Sequence, residues 1–109
     1  MKAILTGTYT AEALKGLMGG SDRKAAVEAV LSQVGGTLES IMFTRGSIDV
    51  VVIAEFPDST SLVGTALALR ASGAFSNAEY LEVVDLPSVV EAAKKAAGAY
   101  TPAGRMMDQ

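Results

Sequence analysis

The sequence predicts an α+β domain: a four-stranded antiparallel sheet with helices packed on one face. Three observations predict it. The chain has 109 residues, one domain's worth. Half of those residues are hydrophobic, enough to build a core, although a chain this small keeps much surface for its volume. Strand-like and helix-like runs alternate, with glycine or proline at the joints: Gly19-Gly20, Gly35-Gly36, Pro57, Gly73 and Pro87.

Ala3 to Tyr9 is a short, Thr-rich strand, and Thr10 can cap the next segment. Ala11 to Met18 is helical in character and stops at Gly19-Gly20. Ser21 or Asp22 restarts a helix in which Val27, Val30, Leu31 and Val34 form one apolar stripe. Gly35-Gly36 ends it. Thr37 to Thr44 is the second strand, and Arg45-Gly46-Ser47 a short hairpin connection. Ile48 to Phe56 is the third and strongest strand, ended by Pro57. Asp58, Ser59 or Thr60 caps a helix to about Ser72, with Leu62, Ala66 and Leu69 on one side. Asn77 to Leu86 is the fourth strand. Pro87 suits the first turn of a last, Ala-rich helix reaching about Ala97. Residues 1–97 thus form the domain, and 98–109, with Pro102 and Gly104, a mobile tail. The order β-α-β-β-α-β, then an extra helix, is the ferredoxin-like arrangement.

Side chains alternate across a strand, so the third strand has two faces. Ile48, Val50, Val52, Ala54 and Phe56 make a wholly apolar face that should pack on the helices. Asp49, Val51, Ile53 and Glu55 make the other, apolar in its middle where a solvated face should be polar. A second sheet stacked on it from another subunit resolves that conflict. The positive mean hydropathy points the same way. The expected state is a homo-oligomer, a dimer or built on dimers.

The chain has no Cys and no His. That excludes disulfides, thiolate chemistry, Cys/His zinc sites, His-ligated haem and any catalytic unit built on His. A metal would need oxygen ligands. A general base would be a carboxylate, Lys or Tyr. No cofactor is expected. Net charge is −3 and the nine basic residues are scattered, against nucleic-acid binding. The N-terminal residues turn polar at Thr6, unlike a signal peptide, and no stretch approaches a membrane span, so the cytoplasm is expected.

From roughly Ala3 to Lys95 the chain resembles the GYD domain family, small bacterial proteins grouped with the dimeric α+β barrels of ferredoxin-like fold. The matching residues are Gly16-Leu17, Arg23, Gly35-Gly36, Thr44, Gly46, Asp49, Glu55, Pro57, Asp58, Leu67-Ala68-Leu69 and Gly73. The signature is Gly-Tyr-Asp or a version spaced by one residue. Gly46-Ser47-Ile48-Asp49 keeps the Gly and the Asp, with Ile48 where the aromatic usually stands. The resemblance implies a dimeric barrel assembly and names no general activity.

Asp49 and Glu55 are the first candidates for a ligand site. Six residues apart, they lie about 20 Å apart along an extended strand and cannot work as a pair within one subunit. The structural alternatives are an Asp49 that accepts hydrogen bonds in the hairpin and a Glu55 paired with Lys or Arg at the sheet's end. Arg45 could hold an anion, or be an exposed turn residue. Tyr9 and Tyr80 could line a pocket as donors, or pack at an interface. Glu39 and Glu82, read as lying on neighbouring strands, could join an acidic cluster or guard an edge. Gly19-Gly20-Ser21 precedes a helix start but lacks a phosphate-loop ending, and a plain helix break is the stronger reading. Met106-Met107 could dock on a neighbour.

The favoured function is an oligomeric protein that binds a small molecule or a protein partner at the sheet face or subunit interface. The alternative is a cofactor-free enzyme of monooxygenase or isomerase type, with Asp49, Tyr9 or Tyr80 handling protons. A third is an effector-binding module acting in trans.

Overall fold

The computed structural model describes residues 1–103. In chain order the elements are β1 (Lys2–Tyr9), α1 (Ala11–Met18), α2 (Arg23–Gln33), β2 (Thr37–Phe43), β3 (Val50–Glu55), α3 (Ser59–Ala71), β4 (Phe75–Glu82) and α4 (Leu86–Ala99). All strand pairs are antiparallel, in the order β2-β3-β1-β4. The strongest strand, β3, therefore lies inside the sheet beside β1.

Each helix begins on a side-chain cap. Thr10, Asp22, Asp58 and Asp85 accept hydrogen bonds from the backbone N–H groups of Ala13, Ala25, Ser61 and Ser88. Each satisfies a donor that has no partner within its helix. The Ser61 amide and hydroxyl hold the Asp58 carboxyl below its ordinary value. Asp22 and Asp58, rather than their serine and threonine neighbours, thus take the capping positions.

The two faces of β3 part as the alternation requires. Val50, Val52, Ala54 and Phe56 are buried with Ala3, Leu5 and Tyr9 of β1, Leu31 of α2 and Leu62 of α3. This inner face carries the core. Ile48 does not join it. It precedes the strand, in the loop, and is 37% exposed. On the outer face the register lines up Ile4, Ile53, Ser40 and Leu81 in one row and Thr6, Val51, Met42 and Glu79 in the next. Leu81 is 61% exposed.

The hairpin loop is wider than three residues. Phe43 pairs with Val50, and the Thr44 N–H donates to the Asp49 carbonyl at 2.8 Å. The Thr44 hydroxyl also donates to the Ile48 carbonyl at 2.5 Å. Gly46 has φ +130, a conformation that side chains rarely adopt.

β4 begins at Phe75, not Asn77, because Phe75 reaches Tyr9 across a bulge at Thr8/Tyr9. It ends at Glu82, not Leu86. The ladder with β1 finishes as the Val83 N–H donates to the Lys2 carbonyl, and Asp85 is taken up in capping α4.

α4 runs on through Gly98 to Ala99, past the expected end at Ala97. It leaves the body: every residue from Leu81 to Ala103 is exposed. The radius of gyration is 18.8 Å, where a compact chain of this length has about 13 Å. The expectation for residues 104–109, including Met106-Met107, lies outside the described residues.

Candidate functional site

α2 leans on β2 and α3 on β4, the two edges of the sheet. Between them an apolar cleft opens over the central strands, with a cavity of about 60 Å³. Leu5, Gly7, Tyr9, Val50 and Val52 form its floor. Val27, Val30 and Leu31 of α2 stand on one side, and Thr65, Ala66 and Leu69 of α3 on the other. Small residues at 65 and 66 leave the space. Thr65 keeps its hydroxyl occupied by donating to the Ser61 carbonyl at 2.8 Å.

Tyr9 closes one end. It is buried and stacks on Phe75, with ring centroids 5.1 Å apart. Burial pushes its phenol above the ordinary value; nearby Arg23 pulls it down and Asp49 pushes it up, both by less. The phenol is therefore a neutral hydrogen-bond donor at physiological pH, not a phenolate base. Arg23, the first residue of α2, is half-buried, and its Nε is a buried donor with no partner among the described residues. An unpaired buried donor costs free energy unless something accepts from it.

Of the five sequence candidates, the structure brings Tyr9 and Asp49 together. Asp49 Oδ2 accepts from the Tyr9 backbone N–H at 2.9 Å, while the Asp49 N–H donates to the Gly7 carbonyl. The carboxylate takes the place of a strand partner where the β1–β3 ladder has ended. Glu55 stands at the other end of β3. Its partner is the Met1 amino group at 3.4 Å, not a Lys or Arg. Arg45 is exposed on the loop and makes no ion pair among the described residues. Tyr80 lies on the inner side of β4 but outside the cleft lining, its ring 5.9 Å from the Arg70 guanidinium.

Glu39 and Glu82 are not on neighbouring strands. β2 and β4 are opposite edges of the sheet, so the two acids cannot cluster. Glu39 pairs with Lys2 at 3.2 Å. Among the described residues no group of three acidic side chains is placed to hold a metal, and no helix is long and apolar enough to cross a membrane. Gly19-Gly20-Ser21 is a helix break whose successor is capped by Asp22.

Sequence reading missed Arg23 and Phe75 as site residues. Arg23 opens a helix, where a cation is ordinarily solvated. Only its closeness to Tyr9 makes it part of the site.

Asp49 has a testable structural role. Asp49→Ala leaves the Tyr9 N–H without an acceptor and is expected to cost about 1.5 kcal/mol. Asp49→Asn keeps an acceptor oxygen and is expected to cost about half of that. Urea unfolding at neutral pH measures both; equal losses would show that charge, not the acceptor, is what the site needs.

The fold and cleft define a small α+β protein that exposes an apolar cleft on one side of an antiparallel sheet and an apolar patch on the other. The chain belongs to the GYD domain family, whose family model matches residues 4–93. The residues that carry the resemblance, from Gly16 to Gly73, all lie within that span. Ile48, at the position of the usual aromatic, sits exposed in the loop outside the cleft. No curated protein matches the chain.

Proposed function

We propose that this protein is a cytoplasmic homo-oligomer of ferredoxin-like fold that binds a small molecule in the cleft between α2 and α3. The observation that carries the reading is the cleft itself, apolar along its floor and lined at one end by Tyr9, whose phenol is neutral and lies near the buried, unpartnered Arg23 Nε. Such a site, mostly apolar with a few convergent polar groups, is what small-molecule recognition uses. Its donors fit a ligand with an apolar body and one carbonyl or carboxylate group.

The volume limits the ligand. An apolar cavity that takes benzene has about 150 Å³, against about 60 Å³ here. The ligand is either of few atoms or enters as the partly exposed Val30 side chain at the mouth gives way. The strand order β2-β3-β1-β4, with α2 joining β1 to β2 and α3 joining β3 to β4, supports the ferredoxin-like assignment. The outer face, with Ile4, Val51 and Ile53 beside exposed Met42 and Leu81, supports pairing of two sheets face to face.

Titration with benzoate and with toluene, followed by methyl NMR, tests the reading. Saturable shifts are expected at Leu5, Val52 and Leu69, lost in Ala66→Phe, which fills the cleft. Arg23→Gln should weaken benzoate more than toluene. Shifts that never saturate, or that survive Ala66→Phe, overturn it.

A second reading is a cofactor-free enzyme of the dimeric α+β barrel kind, favoured by the buried, protonated Tyr9 beside Arg23. In it Tyr9 gives its proton to a substrate oxygen. A Tyr9→Phe variant that binds ligand but turns nothing over separates it from simple binding.

A further inference from the structure

Helix α4 carries an apolar stripe that its own body leaves uncovered. Leu86, Val89, Val90, Ala93 and Ala97 recur at helical spacing, while Glu91, Lys94 and Lys95 stand away from them. All are exposed. The helix has 14 residues, about 21 Å of length, and a helix that short is marginal in water unless its apolar side is packed.

The body has the matching need. Its outer sheet face shows Ile4, Val51 and Ile53 with exposed Met42 and Leu81. The two adjoin in the chain: only residues 83–85 separate β4 from α4, and Leu81, Val83, Val84 and Leu86 are all exposed. Their charges are complementary as well. Lys94 and Lys95 lie along the helix, and Glu55 and Glu79 belong to the outer rows of the sheet.

We infer that α4 is an arm that packs its Leu86–Val89–Val90–Ala93 stripe on a second copy of this chain, the copy seated against the outer sheet face. This rests on the face-to-face pairing proposed above. A copy placed on that face meets the sheet patch and the arm together, because α4 follows the edge strand β4 after a connection of residues 83–85. Under two-fold symmetry each arm is answered by the partner's arm, so the contact is made twice.

Sedimentation equilibrium and hydrogen exchange on the full chain test the arm, using Val89→Glu with Ala93→Glu. Both positions are exposed and far from the core, so the body should fold unchanged. The expected result is a dimer whose α4 amides are protected, with protection lost on dilution. The double variant should weaken the dimer at least about tenfold and free those amides. A dimer as tight as the parent's, or α4 amides protected in a monomer because the helix folds back on its own sheet, overturns the arm. Ile53→Glu separates the two readings. If it dissociates the dimer while the α4 variant does not, the arm fails and the sheet-face pairing stands. If it leaves the dimer intact while the α4 variant breaks it, the sheet-face pairing fails and α4 alone holds the copies. A parent chain that is monomeric at high concentration overturns both.

Discussion

Leu62→Ala lowers the free energy of unfolding by about 3 kcal/mol, the usual middle of the range for a fully buried leucine that leaves a cavity. Leu62 is 1% exposed and is the largest side chain buried to that degree. It also bears more than its share. The other buried residues of α3 are Thr65 and Ala66, both small, and Leu69 is only partly covered. The helix therefore depends on one large anchor near its capped end. At about 4 °C per kcal/mol for a domain of this size, the midpoint of thermal unfolding falls by roughly 12 °C. Leu67→Ala is the control on the same helix. Leu67 is 66% exposed, and its loss is expected to change stability by less than about 0.5 kcal/mol. Similar losses for the two would mean that α3 is not anchored through Leu62.

How much of this was legible in the chain depends on the range of the interaction. Caps, glycine stops and strand alternation act within a few residues, and these could be read. The break at Gly19-Gly20, the apolar face Val50, Val52, Ala54 and Phe56, and the α3 face of Leu62 and Ala66 all appear where local pattern puts them. Ile48 obeys the same alternation in sequence and departs from it in space. The loop needs it, since the Thr44 hydroxyl closes on its carbonyl. The two ends of β4 differ from the local pattern for the same kind of reason. They are set by what β1 offers opposite them, some seventy residues away in the chain, as with Phe75 against Tyr9.

The site was less legible than the fold. Tyr9 and Asp49 could be singled out by type, yet their joining is a contact across 40 residues. Arg23 stood among the residues of the family resemblance, but nothing local distinguishes it from any cation in a first helical turn. Its buried Nε is a product of packing. Glu39 and Glu82 show the reverse error. Acids that look adjacent by strand count are separated by the strand order β2-β3-β1-β4, which the local pattern does not contain.

Gly7→Ala is expected to cost about 2 kcal/mol, although glycine is ordinarily a poor strand residue and its replacement should help by about 0.5–1 kcal/mol. The sign is reversed by one neighbour. A Cβ at position 7 would stand 2.5 Å from Phe75 Cε1 and 2.6 Å from Cδ1, with Val50 Cγ1 at 3.3 Å. The ring must swing out, and Phe75 is only half-buried, so it can. Swinging out breaks the stack on Tyr9, worth about 0.5–1.5 kcal/mol beyond area burial. Overpacking of the remaining contacts adds about 1–3 kcal/mol. The displaced ring also uncovers the end of the cleft where the Tyr9 phenol lies. A double-mutant cycle with Phe75→Ala isolates this conflict. With the ring gone, Gly7→Ala should become nearly neutral, a coupling of about 2 kcal/mol between the two sites. Strict additivity would place the cost at Val50 or in the backbone instead, and the glycine would then have no part in keeping Phe75 over Tyr9.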